Sequence, residues 1–136
     1  MALIVLIIFV SVLSPSFLSL TNLMNLLRQV STNALIAFGM TFVIITGGID
    51  LSVGSTLALC SAIMAGMIVN GIDPLIAMTV SLIAGFVLGA VNGLLITKGK
   101  LVPFIATLAT LTIYRGATLV LTGGKPITGL DETFTF

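Results

Sequence analysis

Residues 51–69 and 75–96 contain no charged side chain, and most of their positions are apolar. A helix of that length with nothing ionic on any face has no side to offer water, so it must be covered by a large protein interior or by lipid. This chain cannot supply such an interior: of its 136 residues 58% are apolar, only 7% are charged, and the mean hydropathy is +1.33. Too few charges are present to cover the surface of a water-soluble domain of this size. The solvent is therefore a bilayer, whose hydrocarbon core of about 30 Å takes roughly 20 apolar residues per helix.

Breaker residues divide the chain into five apolar segments, 2–13, 34–46, 51–69, 75–96 and 101–121. In hydrocarbon only helices and closed barrels satisfy every backbone group. A barrel needs apolar and polar positions in alternation, and these runs are continuous. The fold expected is all-α, a polytopic transmembrane bundle of about five helices, with residues 1–136 forming one transmembrane domain. Ser14-Pro15-Ser16 closes the first helix, and no positive leader or small-residue cleavage site marks it as a signal peptide. Residues 14–33, where leucines mix with Asn22, Asn25, Arg28, Gln29 and Ser31, read as a short interfacial amphipathic helix capped at Thr21 or Asn22. Asn70-Gly71-Ile72-Asp73-Pro74 is a tight loop with Pro74 opening the next helix, and Lys98-Gly99-Lys100 is the following turn. Both chain ends read as the ends of a fragment.

Short cytoplasmic loops are rich in Lys and Arg, which places Lys98 and Lys100 in the cytoplasm. Alternation then puts Met1 inside, Arg28 outside, 47–54 toward the inside, and Asp73 and 123–136 outside; Arg28 and Lys125 run against the rule. Gly85, Gly89 and Gly93 recur every four residues and clear one helix face for close packing, with Asn92 beside them able to hydrogen-bond across it. Ala62 and Gly66 are a weaker version of that pattern.

Several functions are excluded by composition. A net charge of +1 with scattered cations makes no patch for nucleic acid. One cysteine, Cys60, allows no intrachain disulfide, and it reads as a small apolar helix residue. Without histidine, and with its acids dispersed as Asp50, Asp73, Asp131 and Glu132, the chain has no metal or acid-base constellation, so neither enzyme chemistry nor a cofactor is expected.

The most informative stretch is Gly47-Gly48-Ile49-Asp50-Leu51-Ser52-Val53-Gly54-Ser55. The segment before it, 34–46, spans only about 20 Å as a helix, too short to cross. The double glycine then releases the helix inside the membrane, and Asp50 or Ser52 caps the helix that follows. Broken helices at membrane depth make polar sites along transport routes. The plainer alternative is a cytoplasmic turn with Asp50 as a solvated cap. Asp50 is nonetheless the one acid set between apolar segments with no neighbouring charge, and an ionisable group at membrane depth marks a functional site by default. Gly47, Gly48, Asp50, Ser52, Gly54 and Ser55 are accordingly the candidate gating or translocation motif, and Gly85, Gly89, Asn92 and Gly93 the candidate packing face.

That motif resembles one found in the permeases of ATP-binding-cassette importers for ribose and related monosaccharides. Further matches in order are Asn25-Leu26-Leu27-Arg28-Gln29-Val30-Ser31, Gly39-Met40-Thr41, Asn92-Gly93, Val102-Pro103-Phe104-Ile105-Ala106-Thr107-Leu108, Ile113-Tyr114-Arg115-Gly116 and Thr122-Gly123-Gly124-Lys125-Pro126-Ile127. The resemblance implies a bacterial inner-membrane subunit of about ten helices that pairs with a second permease copy, a cytoplasmic ATPase and an external sugar-binding protein. About half of such a permease is represented, without its later ATPase-contacting segment. Arg115 snorkels beside Tyr114 to the outer headgroups, or else serves the pathway or a partner interface. Asn33 reads as an interhelical hydrogen-bond partner, Phe42 and Phe104 as lipid-facing or core residues, and Asp131 and Glu132 as a solvated external loop. Competing functions are a small autonomous channel, an assembly factor, or a non-functional remnant of a truncated permease gene.

Overall fold

The computed structural model describes residues 1–130, which form five α-helices: α1 (Ala2–Leu13), α2 (Leu20–Ile45), α3 (Val53–Val69), α4 (Pro74–Thr97) and α5 (Pro103–Thr122). No strand occurs among the described residues. α2, α4 and α5 are long and apolar enough to cross a membrane, while α1 and α3 are shorter apolar helices. Asp131 and Glu132 lie outside the described residues. The chain divides into two compact units, Met1–Phe42 and Val43–Phe136.

In the first unit α1 ends where Pro15 requires it. Ser14 is extended (φ −133°, ψ 103°), as the residue before a proline tends to be, and its N–H closes the last turn on Val10 O at 2.9 Å. α2 then starts at Leu20. Its cap is Ser19, whose Oγ accepts the Asn22 N–H at 3.3 Å, instead of Thr21 or Asn22. The separate interfacial helix expected over 14–33 does not exist: α2 runs unbroken for 26 residues, about 39 Å. Between Leu20 and Gly39 there is neither glycine nor proline to end a helix, and polar side chains alone do not. The hydroxyls of Ser31 and Thr32 donate back to Leu27 O and Arg28 O at 2.7 and 3.4 Å, so they are accommodated within the helix. Arg28 thus lies on α2 and not in a connection.

In the second unit α3 packs against both α4 and α5, which touch each other along a shorter seam. Apart from Leu59 and Tyr114, the buried positions among the described residues are small or polar (Ala62, Ala77, Ala106, Ser52, Asn92, Thr107, Thr110), while Phe86 and Val120 are 78% and 84% exposed. This inverts a water-soluble core and is the pattern expected where lipid solvates the outside and helices meet through small residues and hydrogen bonds. Ser81 Oγ donates to Cys60 O at 2.9 Å, joining α4 to α3, and Tyr114 Oη donates to Leu88 O at 3.1 Å, joining α5 to α4. Asp73 caps α4 by accepting the N–H groups of Leu75 and Ile76 at 2.8 and 3.4 Å, with Pro74 in the first turn as the sequence predicts.

Replacing Tyr114 by Phe keeps the ring and removes only its bond to Leu88, so it should lower stability by about 0.5–1 kcal/mol, read from reversible unfolding in detergent or lipid. Ala77 has no exposed surface where α4 packs in this unit, so Ala77→Leu should cost more, about 1–3 kcal/mol by overpacking.

Candidate functional site

Residues 46–52 connect α2 to α3, and their geometry begins with a glycine. Gly47 takes a left-handed conformation (φ +75°), with its N–H bonded to Ile44 O at 2.9 Å and the Gly48 N–H bonded to Val43 O at 3.0 Å. This paired closure satisfies the last carbonyls of α2 and turns the chain. The helix therefore does break at the double glycine. It has by then run 26 residues, so the short 34–46 segment inferred from sequence is not the reason for the break.

Beyond the turn, Asp50 folds its half-buried side chain forward. Its Oδ1 accepts both the backbone N–H of Ser52 at 2.8 Å and the hydroxyl of Ser52 at 2.7 Å. Ser52 starts α3 through its carbonyl, which accepts the Thr56 N–H at 2.8 Å, and its side chain makes no capping bond to the helix. The hydroxyl has another partner: Asn92 of α4 donates its Nδ2–H to Ser52 Oγ at 2.7 Å. Ser52 is fully buried and Asn92 is 5% exposed.

The direction of this chain is fixed by proton count. A hydroxyl has one hydrogen, and Ser52 gives it to the carboxylate. Toward Asn92 it can only accept, which forces the amide nitrogen to face Ser52. The amide oxygen, Asn92 Oδ1, is then left buried without a hydrogen-bond partner among the described residues.

A second tether comes from α5. Thr107, 1% exposed, donates to Pro103 O at 2.8 Å and lies 3.3 Å from the carbonyl of Ile49. Together the two tethers gather α4 and α5 onto the connection around a cavity of about 340 Å³, whose lining includes Gly48, Asp50, Gly89, Asn92, Gly93 and Thr107. Asn92 lies five residues before the end of α4 and Thr107 four after the start of α5. The site is thus about 6–8 Å inside the end of the bundle that carries Lys98 and Lys100.

The candidate residues do not all converge. Gly47, Gly48, Asp50 and Asn92 line this cavity with Gly89 and Gly93, whereas Gly54 and Ser55 face a separate depression of about 370 Å³ between α3 and α5, where Arg115 also lies, exposed. The glycines of α4 differ among themselves: a Cβ on Gly85 would sit 3.4 Å from Cys60 Sγ, while on Gly89 or Gly93 it would meet no atom within 4 Å. Sequence reasoning missed Thr107 as a tether. Its one signal is a lone hydroxyl in the first turns of α5, and nothing local points to Ile49, 58 positions earlier.

Comparison with known proteins places the chain in a family. Residues 22–134 match the family described as branched-chain amino acid transport system, permease component. The chain is 64% identical, over its whole length, to the ribose import permease protein RbsC of Bacillus subtilis, covering 42% of that relative. It is 52% identical over 93% of its length to the RbsC of Haemophilus influenzae, covering 39% of it, and 42% identical over 90% to the D-allose transport system permease protein AlsC of Escherichia coli, covering 38%. The chain thus spans about two fifths of the length of these relatives. No solved structure matches it. With 22–134 matched and its helices patterned for lipid, the chain belongs to the family of branched-chain amino acid transport system permease components.

Proposed function

We propose that this chain is the N-terminal part of the permease subunit of a bacterial ATP-binding-cassette importer, carrying a ribose-like monosaccharide across the inner membrane. The 64% identity to a ribose import permease over all 136 residues carries this reading. The subunit is passive: its helices form the route, a separate cytoplasmic ATPase supplies the energy, an external sugar-binding protein delivers the solute, and a second permease copy completes the pathway. It performs no catalysis of its own.

Within that scheme the 46–52 connection is the moving or gating element. Two features support this. It is held by a few directional hydrogen bonds, not by packed bulk, so it has discrete arrangements to switch between. It also borders a cavity, where irregular backbone inside a membrane protein is tolerated.

Residues 1–136 should replace the corresponding segment of the Bacillus subtilis ribose permease and restore ribose uptake to a strain lacking that permease; a chimaera that reaches the membrane and imports nothing would refute the assignment. In the same chimaera, Asp50→Leu strands the Ser52 hydroxyl and amide, a cost of about 1–3 kcal/mol for each, and should abolish uptake. Asp50→Asn keeps an oxygen in place of Oδ1 and should retain most of it. Normal uptake by Asp50→Leu at normal membrane levels would remove Asp50 from the gate.

A further inference from the structure

Five polar side chains line the cavity beside the 46–52 connection: Thr46, Asp50, Asn92, Thr97 and Thr107. The three threonines spend their hydrogens on backbone carbonyls, Thr46 on Val43 O at 2.7 Å, Thr97 on Gly93 O at 2.7 Å, and Thr107 on Pro103 O at 2.8 Å with Ile49 O sharing the same hydrogen at 3.3 Å. Asp50 accepts the Ser52 hydroxyl, and Asn92 gives one of its two amide hydrogens to Ser52. The second amide hydrogen of Asn92 is thus the one side-chain hydrogen of the lining not committed to these bonds, whereas all five side chains offer oxygen lone pairs, so acceptors predominate. Among these oxygens Asn92 Oδ1 is exceptional, being buried and unpartnered.

An acceptor surface calls for an occupant rich in donors, and we propose that this cavity is a binding site for a neutral polyhydroxylated solute of pentose size, one of whose hydroxyls donates to Asn92 Oδ1. The proposal rests on the permease reading and assigns it a place. Gly89, Asn92, Gly93 and Ile96 fall on one face of α4, the face that lines the cavity, and the two glycines leave the room there. Oδ1 is closed to solvent as the side chain stands, but χ2 of asparagine is a broad torsion, and a modest rotation turns the oxygen to an occupant. A bare cation would also suit acceptors, yet it would leave most of about 340 Å³ empty. A hydroxylated solute of pentose size occupies more of that space, leaves room for water, and meets several lone pairs at once. Asp50 then acts as a positioning residue: by taking the Ser52 hydrogen it fixes which end of the Asn92 amide is free.

The test is equilibrium binding of radiolabelled D-ribose to the chain in lipid nanodiscs. Wild type should bind. Asn92→Ala should weaken binding about three- to tenfold, the loss of one hydrogen bond. Gly89→Leu, placed where a Cβ meets nothing, should keep its helical content by circular dichroism and abolish binding by filling the cavity. Gly85→Ala, beside Cys60 and outside the lining, should bind as wild type does, and excess sodium chloride should not compete. Absence of ribose binding by wild type, unchanged affinity in both Asn92→Ala and Gly89→Leu, or displacement of ribose by sodium chloride would each overturn the proposal. The permease reading fails separately: binding that depends on Asn92 without uptake by the chimaera would leave the site and remove the transport role, and uptake indifferent to Gly89→Leu would do the reverse.

Discussion

The buried hydroxyl of Ser52 joins three parts of the second unit: the connection after α2, the start of α3, and α4. It receives a hydrogen from Asn92 and passes its own to Asp50, both at 2.7 Å. Where water is excluded, such bonds are stronger than at a surface and an unmade one is costly. The arrangement has a direction because a hydroxyl has one hydrogen to give, and the direction decides which atom of Asn92 is left over. A local loop motif thereby sets the chemistry of a helix face forty positions later in the chain.

The same logic runs through the rest of the unit. In lipid no apolar surface is driven inward, so helices come together through small residues and specific polar contacts. Ala62, Ala77 and Ala106 are buried with Leu59 as the one larger aliphatic residue among them, and the bonds from Ser81, Tyr114 and Thr107 tie the helices at intervals. Small residues serve two ends. At Gly85 a methyl group would just touch Cys60, and at Gly89 and Gly93, on the same helix face, the missing side chain leaves open space beside the connection.

Helix boundaries were legible wherever glycine or proline set them. The sequence segments 51–69, 75–96 and 101–121 fall within two residues of α3, α4 and α5. α2 was misjudged because its polar positions looked like an interruption, although a helix ends when its backbone is diverted and not when its side chains turn polar. Asp50, Ser52 and Asn92 could be singled out as polar residues among apolar ones, and a cross-helix bond from Asn92 was foreseeable. The identity of its partner was not, since Ser52 looked like an ordinary cap. Thr107 and Ile49 come together only through the packing of α5 against the start of α3, and no sequence period records that.

The continuity of α2 has a consequence for how the N-terminal region meets the membrane. At about 1.5 Å per residue its 26 residues exceed a hydrocarbon core of about 30 Å. The stretch from Gln29 to Ile45 carries no charge and accounts for about 25 Å. Asn22, Asn25 and Arg28 then belong to two or three further turns standing in the headgroup layer as a polar collar on the rod. Such a collar resists sliding of the helix along the bilayer normal, because drawing Arg28 inward would carry its charge into hydrocarbon and pushing the rod outward would wet its isoleucines.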